Sequence, residues 1–147
     1  AWHDGISYLR ASRPKTPVLY SNDEQFRIGG SKILKRSVAD KIVLITSGVT
    51  VHEALQAAQK VKGVTIIDAY SIKPLDEKTI REQSRRKKVV VVEDHYAQGG
   101  LGEAVAALGI PITHLCVKEL PRSGSKERLL QAHGLDAQSI AKVLRRL

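Results

Sequence analysis

From residue 42 onward, short apolar runs alternate with stretches whose apolar residues recur at helical spacing. Residues 42 to 46 (IVLIT) are a β-branched run of strand length. Ser47 and Gly48 follow as a turn, and residues 50 to 61 (TVHEALQAAQKV) predict a helix with Val51, Leu55, Ala58 and Val61 near one face. Thr50 and Glu53 have the three-residue separation of a capping box at its start. A second strand is predicted over residues 64 to 68 (VTIID). Pro74 then blocks helix continuation, and Asp76 is placed to cap a helix over residues 77 to 85.

Residues 89 to 92 are four consecutive valines. A strand wetted on one face would alternate apolar and polar positions. An unbroken apolar run suits a strand buried on both faces, and we place it at the centre of a parallel sheet with helices on either side. Gly99, Gly100 and Gly102 punctuate the chain before a short helix over residues 103 to 108, and residues 112 to 117 (ITHLCV) predict a fourth strand. Ser125 and Asp136 stand ahead of two closing helices, 126 to 133 and 137 to 146. This alternation predicts an α/β fold, a doubly wound, mainly parallel open sheet with helices on both faces. The opening stretch does not share the pattern. Pro14, Pro17 and the pair Gly29 and Gly30 interrupt it, and only residues 6 to 9 (ISYL) and 17 to 20 (PVLY) read as extended. We take residues 1–40 as the end of a preceding domain and a linker, and 41–147 as the α/β domain.

Composition narrows the class. With 147 residues, 42% hydrophobic and 27% charged, the chain fits one soluble globular domain and not a disordered or coiled-coil segment. A single cysteine, Cys116, forbids an internal disulfide and suits a reducing compartment, so a cytoplasmic location is expected. No apolar run has the length of a membrane span, and no membrane partner is expected. The sequence holds no methionine, which we read as the mark of a piece of a longer chain. The net charge of +9 raises nucleic-acid binding. Against it, five basic residues fall together at 81 to 88 (REQSRRKK), where they suit a helix end, and aromatic side chains for base stacking are few. No nucleic-acid partner is expected.

The densest cluster of reactive side chains is Glu93, Asp94, His95 and Tyr96, between the valine strand and the glycines. In parallel sheets the carboxyl ends of strands face the ligand crevice, and a glycine turn lets helix amides approach an anion. The spacing G-G-x-G differs from the dinucleotide fingerprint, so we read these glycines as serving backbone geometry and close packing. His3, His52, His114 and His133 are scattered and read as packed or capping residues, and Cys116 as a small hydrophobe. Arg13, between Ser12 and Pro14, can present a guanidinium fork to a phosphate or carboxylate. The residues alone thus give an α/β domain with one anion contact and no complete active site.

Five blocks in order, RASRP (10 to 14), SGVTVHEAL (47 to 55), DAYSIKPLD (68 to 76), VVVVEDHYAQGGLGEAV (89 to 105) and LPRSG (120 to 124), together resemble the carboxyl-terminal part of the transketolase family. Deoxyxylulose phosphate synthase and the beta subunits of oxo-acid dehydrogenases share this domain and resemble the chain less; a free-standing α/β binding module is the competing class. The resemblance implies transfer of a two-carbon ketol unit between sugar phosphates, with thiamine diphosphate and Mg or Ca in the full enzyme. It implies a homodimer, or a heterotetramer of split subunits, in which upstream domains or a split N-terminal subunit hold the cofactor. The family's G-D-G diphosphate and metal motif is absent from this sequence. No cofactor, metal or catalytic residue is therefore assigned to the chain, which is expected to be inactive alone. By the match at Ser12, Arg13 and Pro14, Arg13 corresponds to the arginine that holds the phosphate of the sugar substrate. Residues 6 to 13 correspond to the last strand of the preceding pyrimidine-binding domain.

Overall fold

The computed structural model describes residues 3–12, 15–36 and 39–147. Ten elements follow one another: β1 (Lys32–Lys35), β2 (Ile42–Thr46), α1 (Thr50–Gln59), β3 (Val64–Asp68), α2 (Glu77–Ser84), β4 (Lys88–Tyr96), α3 (Leu101–Ala106), β5 (Ile112–Val117), α4 (Lys126–Ala132) and α5 (Ala137–Leu144). They form one five-stranded sheet in the order β1-β3-β2-β4-β5. β2, β3, β4 and β5 are parallel, and β1 runs antiparallel to β3 at one edge.

The two-faced core follows from the period of the strands. Ile42 and Leu44 of β2 point to one face, where they join Val90, Val92, Ile66 and the helix residues Ala54, Ala57, Ile140 and Leu144. Val43 and Ile45 point to the other, with Val89, Val91, Ile67 and Ile80, Leu101 and Val105. Helices α1, α4 and α5 therefore cover one face and α2 and α3 the other, which is the doubly wound arrangement. Among the described residues no helix is long and apolar enough to cross a membrane.

Several local expectations are corrected. The valines are buried on both faces, but the central strand is β2, with β4 beside it. β4 also runs on through Tyr96, so the Glu93 to Tyr96 cluster ends the strand and is not a loop. Residues 6 to 9 and 17 to 20 form no strand. Instead β1, with the sequence KILK, pairs with β3, which brings into the sheet a segment that the sequence pattern assigned to the linker. Four residues are too few for a periodic signal, and lysines at both ends are the usual protection of an exposed edge.

The capping box at α1 does not form. Val49 is the cap residue and makes no side-chain hydrogen bond, while Thr50 is fully buried inside the helix. The Glu53 carboxylate instead accepts from the amide of Ala137 at 2.9 Å, tying α1 to the start of α5. The expected caps of α2 and α5 do form: Asp76 accepts from the Thr79 amide, and Asp136 from those of Gln138 and Ser139. The basic stretch after Arg81 closes α2 at Ser84 and turns through Arg86, at φ 58°, into β4.

Candidate functional site

In a doubly wound sheet the ligand crevice lies at the carboxyl ends of the strands, where the winding reverses. Here that point lies between β2 and β4, and side chains of the domain fill it. Thr50 Oγ1 stands 2.7 Å from Thr46 Oγ1, 2.8 Å from the Ser47 carbonyl and 3.1 Å from the Val92 carbonyl. Thr46 can donate to Thr50, whose single proton then serves one of the two carbonyls. Both threonines are fully buried, and they bridge the strand ends at which a ligand would enter.

One position along β4, Glu93 is 2% exposed. Its carboxylate accepts from the amides of Leu101 and Gly102, each at 2.7 Å, and lies 2.8 Å from His114 Nε2 of β5. The glycine turn does bring helix amides to an anion, and the anion is the protein's own carboxylate. A Cβ on Gly100 would overlap that carboxylate, and one on Gly102 would overlap the His114 ring. Gly100 and Gly102 thus serve close packing, while Gly99, at φ 72° with open space beside it, serves the turn. His114, read from sequence as a packing residue, is the donor that completes the cluster. The neighbouring Cys116 thiol is pushed up by burial and by the Glu93 charge, which makes it a poor nucleophile.

Asp94 looks outward. Arg10 donates from Nη1 to Oδ1 at 3.1 Å, and from Nη2 to Oδ2 at 2.7 Å and to the Asp94 carbonyl at 3.1 Å. This fork joins the leading segment to the end of β4 across 84 positions of sequence, a pairing that no local signal announces. Arg13 and Pro14, singled out from the sequence, lie outside the described residues. His95 bonds to the Tyr96 carbonyl, and its ring lies edge-on to the Tyr96 ring.

A second attachment lies at the end of β3. The Tyr20 hydroxyl donates to Asp68 Oδ2 at 2.6 Å. Asp68 is 5% exposed, and its Oδ1 has no hydrogen-bond partner among the described residues. Burial raises the Asp68 carboxyl above the usual carboxylate range, although the Tyr20 hydrogen bond and His52 oppose the shift. Burial and the Asp68 hydrogen bond push the Tyr20 hydroxyl up as well. His52 is lowered by burial and by the Lys126 charge. Phe26 stacks edge-on between Tyr20 and Tyr70, at 5.0 and 4.9 Å between ring centres. The Gly29 amide donates to Ser71 Oγ, so Tyr20, Phe26 and Gly29 lie against the carboxyl end of β3 and the turn that follows it.

A thiamine diphosphate site needs donors for a diphosphate and ligands for a divalent ion. Among the described residues no three His, Cys, Asp or Glu side chains are grouped to hold a metal. The α3 amides are spent on Glu93 and the switch point is closed by Thr46 and Thr50, so these residues do not fit the cofactor. What the edge does offer is a seat for the leading segment, at Asp94 and at Asp68.

The sequence model of the family described as "Transketolase, C-terminal domain" matches residues 30–140. The chain belongs to this family. Transketolase of Homo sapiens is 42% identical over 154 aligned residues, covering 97% of this chain and 25% of that protein. The chain thus spans about a quarter of the length of the curated relatives it matches. The solved structure described as "Split gene transketolase, inactive beta4 tetramer" superimposes with a TM-score of 0.81 at 27% identity, covering 88% of this chain and 46% of that one. A transketolase of Campylobacter jejuni shares the fold with a TM-score of 0.64 at 16% identity. The transketolase-like spelling of the five blocks and the parallel sheet therefore agree, and the fold is that of the transketolase C-terminal domain.

Proposed function

We propose that this chain is the carboxyl-terminal portion of a transketolase that transfers a two-carbon ketol unit between sugar phosphates in the cytoplasm. Thiamine diphosphate and its Mg or Ca ion are held by upstream domains or by a split N-terminal subunit, in a homodimer or a heterotetramer. The end of the pyrimidine-binding domain and the linker are the residues ahead of β1, since β1 belongs to the sheet. Arg13 holds the phosphate of the sugar substrate, through a planar fork that matches phosphate oxygens. The α/β domain supports and seats that segment and takes no part in the chemistry.

One observation carries this reading: the crevice where such a sheet takes its ligand is filled by Thr46, Thr50 and Glu93, while the outer side chains of the same edge hold the leading segment. A domain so built is a scaffold for its neighbour. The test is reconstitution. The chain alone should give no ketol transfer from hydroxypyruvate to an aldose phosphate, and adding the upstream transketolase domains should restore it. Failure of every such mixture, with both parts folded, would overturn the reading.

A further inference from the structure

β1 and β5 are the two outer strands of the sheet. The outward N–H and C=O groups of such a strand can pair with another chain, and proteins guard against this with short strands, lysines and prolines. β1 has that protection, being four residues long with a lysine at each end. β5 does not. Its six residues, ITHLCV, include no proline, lysine, arginine or carboxylate. It is paired in register with β4 from Ile112 to Leu115, and among the described residues β4 is its one strand neighbour. Alternate residues along β5 therefore turn their backbone groups away from the sheet.

Beside that edge lie two adjoining hollows, of about 260 and 350 Å³, which share Cys116, Lys118 and His133. Lys142 and Arg146 line the first, Arg122 lines the second and Lys118 lines both, against one carboxylate, Glu119. Lys142 and Arg146 are four positions apart, so they stand on one side of α5 and the turn that ends it. All four cations are exposed, and among the described residues none is in an ion pair. Part of the net charge of +9 is thus gathered along an open strand edge.

We propose that β5 and the basic hollows beside it take an extended acidic segment of a partner polypeptide, added to the sheet as a further strand. Main-chain hydrogen bonds to the edge supply affinity in this mode, and alternate side chains supply preference. Every second side chain of the added strand falls on the side of α4 and α5, so carboxylates at that spacing meet Lys118, Lys142 and Arg146. Charge decides between occupants. A second copy of this chain would set one basic edge against another. A nucleic acid would leave the strand's backbone groups unpaired, and no aromatic side chain lines either hollow for base stacking.

The probe is a fluorescent, end-capped peptide of about ten residues in which Glu and Thr alternate, a length and pattern that suit one strand. Its anisotropy is followed at low salt as the chain is added, alone and assembled with the upstream domains. Saturable binding is expected in both forms. Lys142→Ala combined with Arg146→Ala should weaken it on the order of tenfold. Arg85→Ala combined with Lys88→Ala removes the same charge elsewhere and should leave it within about twofold. Two further peptides carry N-methyl groups, one on every Glu nitrogen and the other on every Thr nitrogen. One of the two methylated sets faces β5 and should abolish binding, while the other faces solvent and should preserve it. Absence of saturable binding would overturn the proposal. Equal binding by the two methylated peptides, or equal effects of the two double variants, would reduce it to attraction between net charges. Binding that is lost on assembly would give the edge to the upstream domains, and a dimer in sedimentation that excludes the peptide would give it to a second copy. A single-stranded oligonucleotide that displaces the peptide and binds more tightly would assign the basic strip to nucleic acid.

Discussion

His114 Nε2 and Gly102 N both approach the same oxygen of Glu93, at 2.8 and 2.7 Å, so that β4, β5 and the start of α3 meet on one buried carboxylate. The arrangement leaves no room beside either glycine. Gly100→Ala and Gly102→Ala should each cost about 1–3 kcal/mol by overpacking. For a chain of this size that is a loss of roughly 3–10 °C in Tm. Gly99 has φ 72° and nothing near its missing Cβ, so Gly99→Ala should cost only the backbone strain, about 1 kcal/mol. Thermal unfolding of the three variants checks the order; equal costs would show that crowding at Glu93 is not what selects glycine.

Tyr20→Phe removes the hydrogen bond to Asp68, whose other oxygen is already without a partner among the described residues. A loss of about 1–3 kcal/mol in urea unfolding is expected. The pH dependence has a definite sign. The folded Asp68 carboxyl is raised, so between the ordinary carboxylate value and its own value the folded state binds more protons than the unfolded state. Its contribution is therefore present at low pH and is lost as pH rises through the folded value. Relative to the unaltered protein, Asp68→Asn should gain stability as pH is taken from about 4 to 7. A difference independent of pH would contradict the assignment.

Asp136 has the opposite sign. Burial raises its carboxyl, but hydrogen bonds from the Ser139 side chain, from Ser139 N and from Gln138 N outweigh it, and the net shift is downward. The unfolded state then binds more protons in the window below the ordinary value. The contribution is complete above that value and is lost as pH falls through the folded one. Asp136→Ala should cost about 1 kcal/mol at neutral pH through loss of the α5 cap, and less with each step below about pH 4. A cost that persists undiminished at pH 2 would place the effect elsewhere.

β2 and the valine stretch of β4 were legible in the sequence because they are buried on both faces, and such burial favours a continuous run of apolar and β-branched residues. Asp76, Ser125 and Asp136 were legible as caps because their partners lie two or three residues away. The features that escaped depend on partners distant in the chain. Thr50 and Glu53 have the local spacing of a capping box, yet Thr50 reaches Val92 and Glu53 reaches Ala137. The Glu93 region reads from sequence as a possible anion site, and only the fold shows that Glu93 is itself the anion. Arg10, an unremarkable arginine in sequence, becomes informative only when the fold brings Asp94 against it.

Under the proposed function, this domain seats the segment that precedes it while thiamine diphosphate is held elsewhere. Calorimetric titration of the folded chain with thiamine diphosphate and magnesium tests it most directly. No saturable heat should appear with the chain alone, and binding should appear once the upstream domains are added. Saturable binding in the micromolar range by the chain alone would contradict it.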